Sequence, residues 1–320
     1  MEKTRIAVIG LGKMGLLHTS LLNVMPDVEL IAICDKSSLM VKLFKKVFKK
    51  TNIQVTGDLK KVPSLDLDAV YVTTPILSHA AIIKDVYDQK IAHNIFVEKT
   101  LAANYTEANE LCQIANQLES ITMVGYMKRF NVVFQQAKKL LTGGTLGEPL
   151  SFSAYAYSSD FFDLKEADPA ASRGGAVRDL GCHVIDLAFW LMGDLNVCEV
   201  NRIDSSFEFT ASTLSGLTGL FKVSQNLPNY RMPEFGLNIK CEKGSIQVND
   251  DRLLLTQDGD SQRKWFRHDL QDNVVFSMGE AEYYRENRQF IDAVSAKKKC
   301  EPSFDSAAKI DLFIEKVLSR

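Results

Sequence analysis

An α/β fold in two domains is predicted by three observations. Short β-rich runs alternate with helical patterns over about the first 125 residues, which is typical of a doubly wound parallel sheet. After Phe130, closely spaced strand-like runs joined by short polar turns favour a mostly antiparallel sheet. A chain of 320 residues is also too long for one ordinary domain. We therefore predict a Rossmann domain over residues 1–125 and an α+β domain with a large open-faced sheet over 126–320, with the option that the C-terminal helix packs back on the first domain.

Hydrophobic periodicity predicts the elements of the first domain. Apolar β-rich runs indicate strands, and runs with a helical period separate them. The predicted strands are Arg5–Ile9, Leu30–Cys34, Ala69–Thr73, Asn94–Glu98 and Ile121–Gly125, and the helices between them include Lys13–Asn23, Ser78–Gln89 and Tyr105–Leu118.

The second domain is predicted to contain one wide sheet with helices on one face. Wide exposed apolar patches are rare on monomers, so we expect a subunit interface on the other face, in a homodimer or homotetramer. The predicted helices are Val132–Leu141, His183–Leu191, Glu280–Ala296 and Ser306–Leu318, and the predicted strands are Leu150–Ala156, Cys198–Ile203, Phe207–Thr213, Leu217–Gln225, Phe235–Cys241, Gly244–Val248 and Arg252–Gln257.

Composition excludes several classes of protein. Hydrophobic residues make up 46% and charged residues 24%, which is typical of a folded chain. The net charge is −2 and no basic block is longer than Lys297–Lys299, so we expect no nucleic-acid partner. The six cysteines form no CxxC pair, which argues against a disulfide framework or a metal site. Without a predicted signal peptide or membrane span, we expect a cytoplasmic protein with no membrane partner.

A glycine-rich turn follows the first predicted strand. It opens the first helical stretch, and the next apolar run ends on Asp35. Strand, glycines, helix, strand and acid in this order form the dinucleotide-binding motif. Gly10 permits a sharp turn, Gly12 leaves room for a pyrophosphate, and Gly15 permits close packing of helix and strand. Phosphate contacts are therefore predicted at the motif and the first helical turn, at Gly10, Gly12, Lys13, Met14 and Gly15.

Asp35 favours NAD as the cofactor. A carboxylate at the end of the second strand accepts hydrogen bonds from the adenosine ribose and repels a 2′-phosphate. Lys36, Ser37 and Ser38 leave NADP as the alternative, since they would contact that phosphate if Asp35 rotated away.

Two loops follow later strands at the same edge of the predicted sheet. Thr73, Thr74 and Pro75 come after one strand, at an edge that lies beside the cofactor in doubly wound folds. His79 follows, either as a residue of the first helical turn or as a contact to the cofactor. Lys99 ends the next strand, where it is either an ordinary solvated lysine or one that desolvation adapts to catalysis.

A glycine-rich stretch of the second domain carries two acids and a histidine. Asp179 and His183 are four residues apart, and Asp186 follows three residues later. In a helix, this spacing brings the three side chains roughly to one face. A carboxylate beside an imidazole is a proton-transfer pair, because the acid orients the ring and balances its charge. A structural histidine–aspartate pair is the alternative.

Together these motifs resemble the Gfo/Idh/MocA oxidoreductases, the family of glucose–fructose oxidoreductase and inositol dehydrogenase. The motifs span about the first 190 residues, and the later strands and closing helices fit more loosely. Thr100 departs from the pattern, since the family usually has proline after the lysine. The residues that carry the resemblance are Gly10–Gly15 with His18, Thr74 and Pro75 with His79, Glu98 with Lys99, Gly125 and Tyr126 with Arg129 and Phe130, and Gly174 and Gly175 with Asp179, Gly181, His183 and Asp186.

The resemblance implies an NAD(P)-dependent dehydrogenase for a secondary hydroxyl group of a sugar, polyol or nucleotide sugar. Lys99 is implied to polarise the reacting oxygen, His183 to take its proton, and Asp179 to bind a neighbouring hydroxyl and tune His183. The family varies over whether lysine or histidine is the base. Further cofactor contacts are implied for Asp35, Thr73, Thr74, Pro75, His79, Glu98 and Lys99, and substrate contacts for Lys99, Tyr126, Arg129, Arg173, Asp179 and His183.

Two other functions stay open from the sequence. One is an NAD-assisted glycoside hydrolase of the same family, in which the hydride returns to the product. The other is a dinucleotide sensor without catalysis, against which the retained Lys99, Asp179 and His183 argue. The segment from Tyr155 to Phe162, with Arg129 and Arg173, is a candidate pocket for a phosphate or uronate group.

Overall fold

The computed structural model describes residues 2–62, 66–160, 162, 174–203, 206–257, 261–270 and 281–320. It divides into two compact units. The first unit combines Met1–Gly125 with Phe276–Asp311, and the second combines Tyr126–Val275 with Leu312–Arg320. The chain thus leaves the first unit after its sixth strand and returns to it near the C-terminus.

The first unit is built on a parallel sheet. Its strands, in the described part of the chain, are β1 (Thr4–Ile9), β2 (Val28–Cys34), β3 (Gln54–Thr56), β4 (Ala69–Val72), β5 (Asn94–Glu98) and β6 (Thr122–Gly125). Every neighbouring pair is parallel, and the order across the sheet is β3-β2-β1-β4-β5-β6. This is the strand order of a Rossmann fold, so the predicted fold class is confirmed for this unit.

Burial explains why this sheet reads as continuous apolar runs. All four residues of β4 are buried, as are four of the five in β5, because helices cover both faces of a parallel sheet. The helices that begin in this unit are α1 (Lys13–Val24), α2 (Ser38–Val47), α3 (His79–Asp88), α4 (Tyr105–Gln117), α7 (Ala281–Ala296) and α8 (Phe304–Leu318). No described helix is long and apolar enough to cross a bilayer.

The second unit contains a wider, mostly antiparallel sheet. Its described strands are β7 (Pro149–Tyr157), β8 (Asn196–Ile203), β9 (Ser206–Ser212), β10 (Thr218–Ser224), β11 (Glu234–Cys241), β12 (Gly244–Asn249), β13 (Arg252–Gln257) and β14 (Ser261–Phe266). The order across the sheet is β14-β13-β12-β11-β7-β10-β9-β8, and only β7 and β10 pair in parallel among these strands. The predicted antiparallel character is therefore confirmed.

The two faces of this sheet differ in polarity. Helices α5 (Val132–Thr142) and α6 (Cys182–Met192) cover the face that carries buried Phe152 and Val223. The opposite face carries polar or amphipathic side chains, for example Ser153 and Lys222. The expectation of a wide apolar outer face was wrong, because the alternation places the apolar residues of β7 and β10 under the helices.

Three elements were missed in the sequence. Strand β3 has only three residues, and β14 has the polar sequence Ser-Gln-Arg-Lys-Trp-Phe. Short or polar strands of this kind carry little of the hydrophobic signal on which periodicity depends. Helix α2 was not among the helices named from the sequence, although its sequence is amphipathic, and none of its residues is buried.

Candidate active site

The glycine motif forms the turn between β1 and α1. Gly10 has φ of +100°, and a Cβ there would lie 2.8 Å from Thr74 Cγ2. A Cβ at Gly15 would overlap the carbonyl oxygen of Gly10, so this close approach requires glycine. A Cβ at Gly12 would meet nothing within 4 Å, and Gly12 is the N-cap of α1 without a side-chain cap. The turn therefore leaves open space at a helix N-terminus, which suits a pyrophosphate.

Asp35 ties the glycine turn to the loop that follows β2. Its Oδ2 accepts a hydrogen bond from the backbone N–H of Leu11 at 2.5 Å, and its Oδ1 accepts one from Ser37 at 2.7 Å. A carboxylate has about four lone-pair sites, so each oxygen can still accept a ribose hydroxyl. Asp35 thus stabilises the two loops and can still accept hydrogen bonds from a ligand. A surface cavity of about 580 Å³ begins beside it, lined by Lys36, Ser38, Val41, Lys42, Lys45, Lys46, Lys49 and Gly57.

The loop after β4 supports the glycine turn from beneath. The Thr73 hydroxyl donates to the carbonyl oxygens of Ile9 and Gly10, at 3.1 and 2.8 Å. His79 is fully buried, with Nε2 lying 2.8 Å from the carbonyl oxygen of Thr74 and Nδ1 2.9 Å from that of Thr100. Burial lowers the pKa of His79, although both carbonyls act in the opposite direction. His79 therefore holds two loops together in this structure, as a residue of the first turn of α3.

Glu98 occupies a buried position directly before Lys99. Its Oε1 lies 2.9 Å from Nε2 of His18, and its Oε2 accepts a hydrogen bond from the backbone N–H of Lys99 at 3.2 Å. The other ring nitrogen of His18 lies 3.0 Å from Asn287 Oδ1 on α7. Lys99 itself is half-buried at the carboxyl end of β5, and the peptide bond between Lys99 and Thr100 is cis. Glu98, paired with His18, thus fixes the backbone at Lys99.

The predicted cofactor residues fall into two groups. One group is exposed or half-buried at the carboxyl edge of the sheet and is accessible to a ligand: Gly12, Lys13, Met14, Asp35, Thr74, Pro75 and Lys99. The other group is buried and shapes the turns: Gly10, Gly15, Thr73, His79 and Glu98. The polar atoms of the buried side chains form hydrogen bonds within the protein, which gives them a supporting role, and their contact with a cofactor stays a prediction.

In the second unit, a π-helical turn carries Asp179. This turn, Val177–Gly181, leads directly into α6. Asp179 is half-buried, and its Oδ2 accepts a hydrogen bond from Nε2 of Gln225 at 3.0 Å. π-Helical turns occur frequently at functional sites, because they redirect side chains within a helix. Gln225 was not predicted from the sequence.

His183 lies in the first turn of α6, within an aromatic pocket. Its ring is edge-on to Tyr126, with centroids 6.5 Å apart, and to Phe235, with centroids 5.0 Å apart. The residue is 6% exposed. Tyr126 is fully buried and packs against the imidazole, and its contact with a substrate stays a prediction. The pocket fixes the ring plane of His183.

Asp186 and Arg129 form a buried ion pair. Nε of Arg129 donates to Oδ2 of Asp186 at 2.8 Å, and Nη2 donates to Oδ1 at 2.6 Å. This guanidinium group already binds a carboxylate in a bidentate pair, and the binding of a substrate anion by Arg129 stays a prediction. The three side chains predicted to share a face therefore have different roles, and Asp186 is structural.

Lys128 forms a second ion pair in the same region. Its Nζ lies 2.7 Å from Oδ1 of Asp250 and 4.9 Å from the ring centroid of Phe235. Oδ2 of Asp250 accepts from the backbone N–H of Phe235 at 2.9 Å. Sequence reasoning missed this cluster, because Asp250 and Phe235 lie far from Lys128 along the chain. The only signal was a lysine next to the predicted Arg129.

Some predicted positions lie outside the described residues. Arg173 is one of them, as are Phe161 and the rest of residues 163–173. Within the candidate pocket of Tyr155–Phe162, the hydroxyl of Tyr155 donates to Oε1 of Glu234 at 2.7 Å. No group of three or more potential metal ligands occurs in the described ranges.

Two family models match the chain. Residues 4–126 match the model described as an oxidoreductase family with an NAD-binding Rossmann fold. Residues 134–247 match the model of the GFO/IDH/MocA C-terminal domain. Each match falls mainly on one of the two sheets described above.

Named relatives and solved structures resemble the chain over much of its length. It is 26% identical to scyllo-inositol 2-dehydrogenase (NAD(+)) of Bacillus subtilis, over 60% of this chain and 55% of that protein. It is 22% identical to inositol 2-dehydrogenase of Rhizobium meliloti, over 93% of this chain and 91% of that protein. Levoglucosan dehydrogenase in complex with NADH and L-sorbose is 20% identical, with a TM-score of 0.86 over 100% of this chain and 96% of that chain. The structural likeness establishes a shared fold.

Proposed function

The chain belongs to the GFO/IDH/MocA family of NAD-binding oxidoreductases, and we propose that it transfers a hydride between a secondary hydroxyl group of a sugar or polyol and NAD. The observation that carries the proposal is the start of α6. There the carboxylate of Asp179 accepts a hydrogen bond from the side-chain amide of Gln225. His183 follows four residues later, and two aromatic rings fix its ring plane. A carboxylate and an imidazole so placed suit proton transfer from a hydroxylated substrate.

The first unit fits a dinucleotide. Open space at Gly12 and the uncapped N-terminus of α1 suit the pyrophosphate, and the carboxylate of Asp35 suits the adenosine ribose. Lys99 stands at the carboxyl end of β5, the edge at which ligands bind in open α/β sheets. These features support NAD as the hydride carrier and Lys99 as a group near it.

The chemistry then divides among three side chains. When bound, NAD supplies the hydride acceptor. His183 accepts the hydroxyl proton as the C–H bond breaks and the C=O bond forms, a contribution of about 10²–10⁴-fold. The family resemblance assigns polarisation of the reacting oxygen to the ammonium group of Lys99, which balances developing negative charge. Asp179 accepts a hydrogen bond from a neighbouring hydroxyl and orients the substrate ring.

A hydroxylated ring is the substrate class that the relatives favour. Two of them are named as inositol 2-dehydrogenases, and levoglucosan dehydrogenase is a further neighbour in fold. The ion pair of Arg129 with Asp186 also favours a neutral cyclitol or sugar as substrate. A guanidinium group that is already paired binds a phosphate or uronate less readily.

An assay of the purified full chain tests the proposal. The protein is incubated with NAD or NADP and a panel of cyclitols, sugars, anhydrosugars and nucleotide sugars, and the absorbance of reduced nicotinamide is followed. Formation of reduced cofactor that Asp179→Asn abolishes is the expected result. Release of a sugar from a glycoside without net reduction would instead indicate the hydrolase, and tight NAD binding without turnover across the panel would indicate a sensor.

A further inference from the structure

A buried glutamine faces the proposed proton-transfer pair, although neither a motif nor the sequence pattern marks it. Gln225 comes directly after β10 and is 2% exposed. Its Nε2 donates to Oδ2 of Asp179 at 3.0 Å, across 46 residues of sequence. Its Oε1 receives no hydrogen bond from any residue that the structure describes.

The orientation of this amide is dictated by Asp179. If the amide were reversed, its oxygen would face the carboxylate oxygen, and two acceptors would repel each other. The nitrogen therefore stays on Asp179, while the oxygen is left without a protein donor. Leaving a buried acceptor unsatisfied costs stability, so the position is not explained by stability alone.

A close contact between the π-helical turn and β10 brings Gln225 and Asp179 together. Val223 and Gln225 are two residues apart on β10 and its extension, so they point to the same face. A Cβ on Gly181 would lie 3.1 Å from Cγ2 of Val223, which means that the π-helical turn packs directly on the strand. Gly181 thus permits the approach that places Asp179 within reach of Gln225.

We propose that Gln225 is a positioning residue, which holds the Asp179 carboxylate ionised and oriented toward the substrate. This inference rests on the proposed function, in which Asp179 binds a substrate hydroxyl group. An N–H donor on Oδ2 stabilises the charged form of the carboxylate and fixes the orientation of the group.

Several titratable groups lie near Asp179 in the described part of the chain. Among the elements packed against the π-helical turn, α6 brings Cys182, His183 and Asp186, and the Asp186 carboxylate is bound to Arg129. The helix-covered faces of β7 and β10 carry no titratable side chain, since Tyr155, Tyr157 and Lys222 lie on the other face. Arg178 belongs to the turn itself.

Two variants and one matched control test the proposal through activity. Gln225→Met keeps the length without the donor, and we expect kcat to fall about 10- to 100-fold while NADH binding is unchanged. The acid limb of its pH profile should move up by about one pH unit, because the carboxylate loses its donor. Gln225→Glu should retain activity where the two carboxyl groups share one proton, and lose it as the pH rises and both become charged. Gln247→Glu makes the same change at an exposed position of β12 and should have no effect.

A second readout does not need turnover. Carbon NMR of protein labelled at the aspartate carboxyl groups, with the Asp179 signal assigned by Asp179→Asn, follows the protonation of that group directly. Its titration should move up by about one pH unit in Gln225→Met relative to the wild type. An unchanged titration, or an unchanged pH profile in both Gln225 variants, overturns the proposal. A wild-type enzyme without turnover would sink the proposed function, while the NMR titration still decides whether Gln225 controls Asp179.

Discussion

Arg129 and Asp186 form a bidentate ion pair, and their side chains are only 10% and 1% exposed. Two parallel N–H donors on one carboxylate satisfy both charges in a fixed plane. Asp186 lies on α6, three residues after His183, so the pair connects this helix with the 3₁₀ turn Met127–Phe130 before α5. Its role is to fix the helix that carries His183.

The first prediction concerns this pair. Arg129→Ala and Asp186→Asn should each lower the free energy of unfolding by about 3–5 kcal/mol, since each leaves a buried charge or donor unpaired. Arg129→Lys should recover only part of the loss, because an ammonium group cannot bind both oxygens in the same plane. Denaturant unfolding measures these differences. If Arg129→Ala folds normally and only weakens the binding of anionic substrates, Arg129 is a substrate residue after all.

The second prediction concerns the proposed catalytic groups. Lys99→Ala and His183→Gln should each reduce kcat by about 10²–10⁴-fold, because each removes a proton-transfer or charge-balancing group. Affinity for NADH, measured by fluorescence titration, should stay within about twofold, since neither side chain supports the glycine turn. Lys50→Ala and His93→Gln change exposed residues of the same type and serve as controls. Near-normal turnover in either active-site variant removes that residue from the mechanism.

The third prediction concerns cofactor preference. We expect tighter binding of NAD than of NADP, because the carboxylate of Asp35 repels a 2′-phosphate. Asp35→Asn keeps an acceptor for the backbone N–H groups but removes the charge, so it should shift the NAD to NADP affinity ratio by about tenfold or more toward NADP. Asp88→Asn at an exposed position of α3 is the control.

The lysine-lined cavity beside Asp35 would be the binding site of the 2′-phosphate if the protein preferred NADP. If the wild type prefers NADP, the double variant Lys36→Gln with Lys42→Gln should reduce NADP affinity and leave NAD affinity unchanged. Equilibrium titration of both cofactors with each variant separates the two cases, and a wild-type preference for NADP would refute the role given to Asp35.

Local patterns in the sequence predicted the strands, turns and helices that carry the site residues. They did not predict contacts between residues that are far apart in the sequence. The turn from Gly10 to Gly15 and its acid at Asp35 depend on residues close together, where spacing has a direct structural meaning. The bond from Gln225 to Asp179 joins residues 46 apart, and the pair Arg129–Asp186 joins residues 57 apart.

Such pairings depend on strand order and helix packing, which one sequence does not reveal. Arg129 illustrates the consequence. As an isolated arginine near a predicted pocket it suggested a substrate anion, and only the packing of α6 identifies its partner. His79 is similar, because its position after Pro75 suggested the cofactor, while its two carbonyl partners are backbone groups that no side-chain pattern reports.

The fourth prediction concerns assembly. We still predict a homodimer through the outer face of the eight-stranded sheet, now by polar and aromatic contacts such as those around Tyr155 rather than by a wide apolar area. Ser153→Arg places a long cation on that face and should shift the mass measured by light scattering from dimer to monomer at micromolar concentration. Ser319→Arg, an exposed change near the C-terminus, should leave the mass unchanged. A monomeric wild type contradicts the prediction.

The fifth prediction concerns the pH dependence of stability, through His79. Burial lowers the pKa of His79 below its ordinary value of 6.5. As the pH falls through that value, the unfolded chain therefore takes up a proton that the folded chain does not accept, and the unfolded state gains stability. The contribution of His79 to folding should be complete above about pH 7.5 and decline below about pH 6.5, by at most about 1.4 kcal/mol per pH unit.

His79→Gln isolates this effect, because it cannot titrate. At about pH 8 the variant should be less stable than the wild type by about 1–3 kcal/mol, from the loss of a buried hydrogen bond between the loops that follow β4 and β5. At about pH 5.5 the difference should be smaller, since only the wild type loses stability through this proton. Urea unfolding at both pH values gives the comparison, with His93→Gln as the exposed histidine control. A difference that grows as the pH falls would mean that His79 is protonated in the folded protein, where it could then donate to the carbonyl oxygens of Thr74 and Thr100 at once.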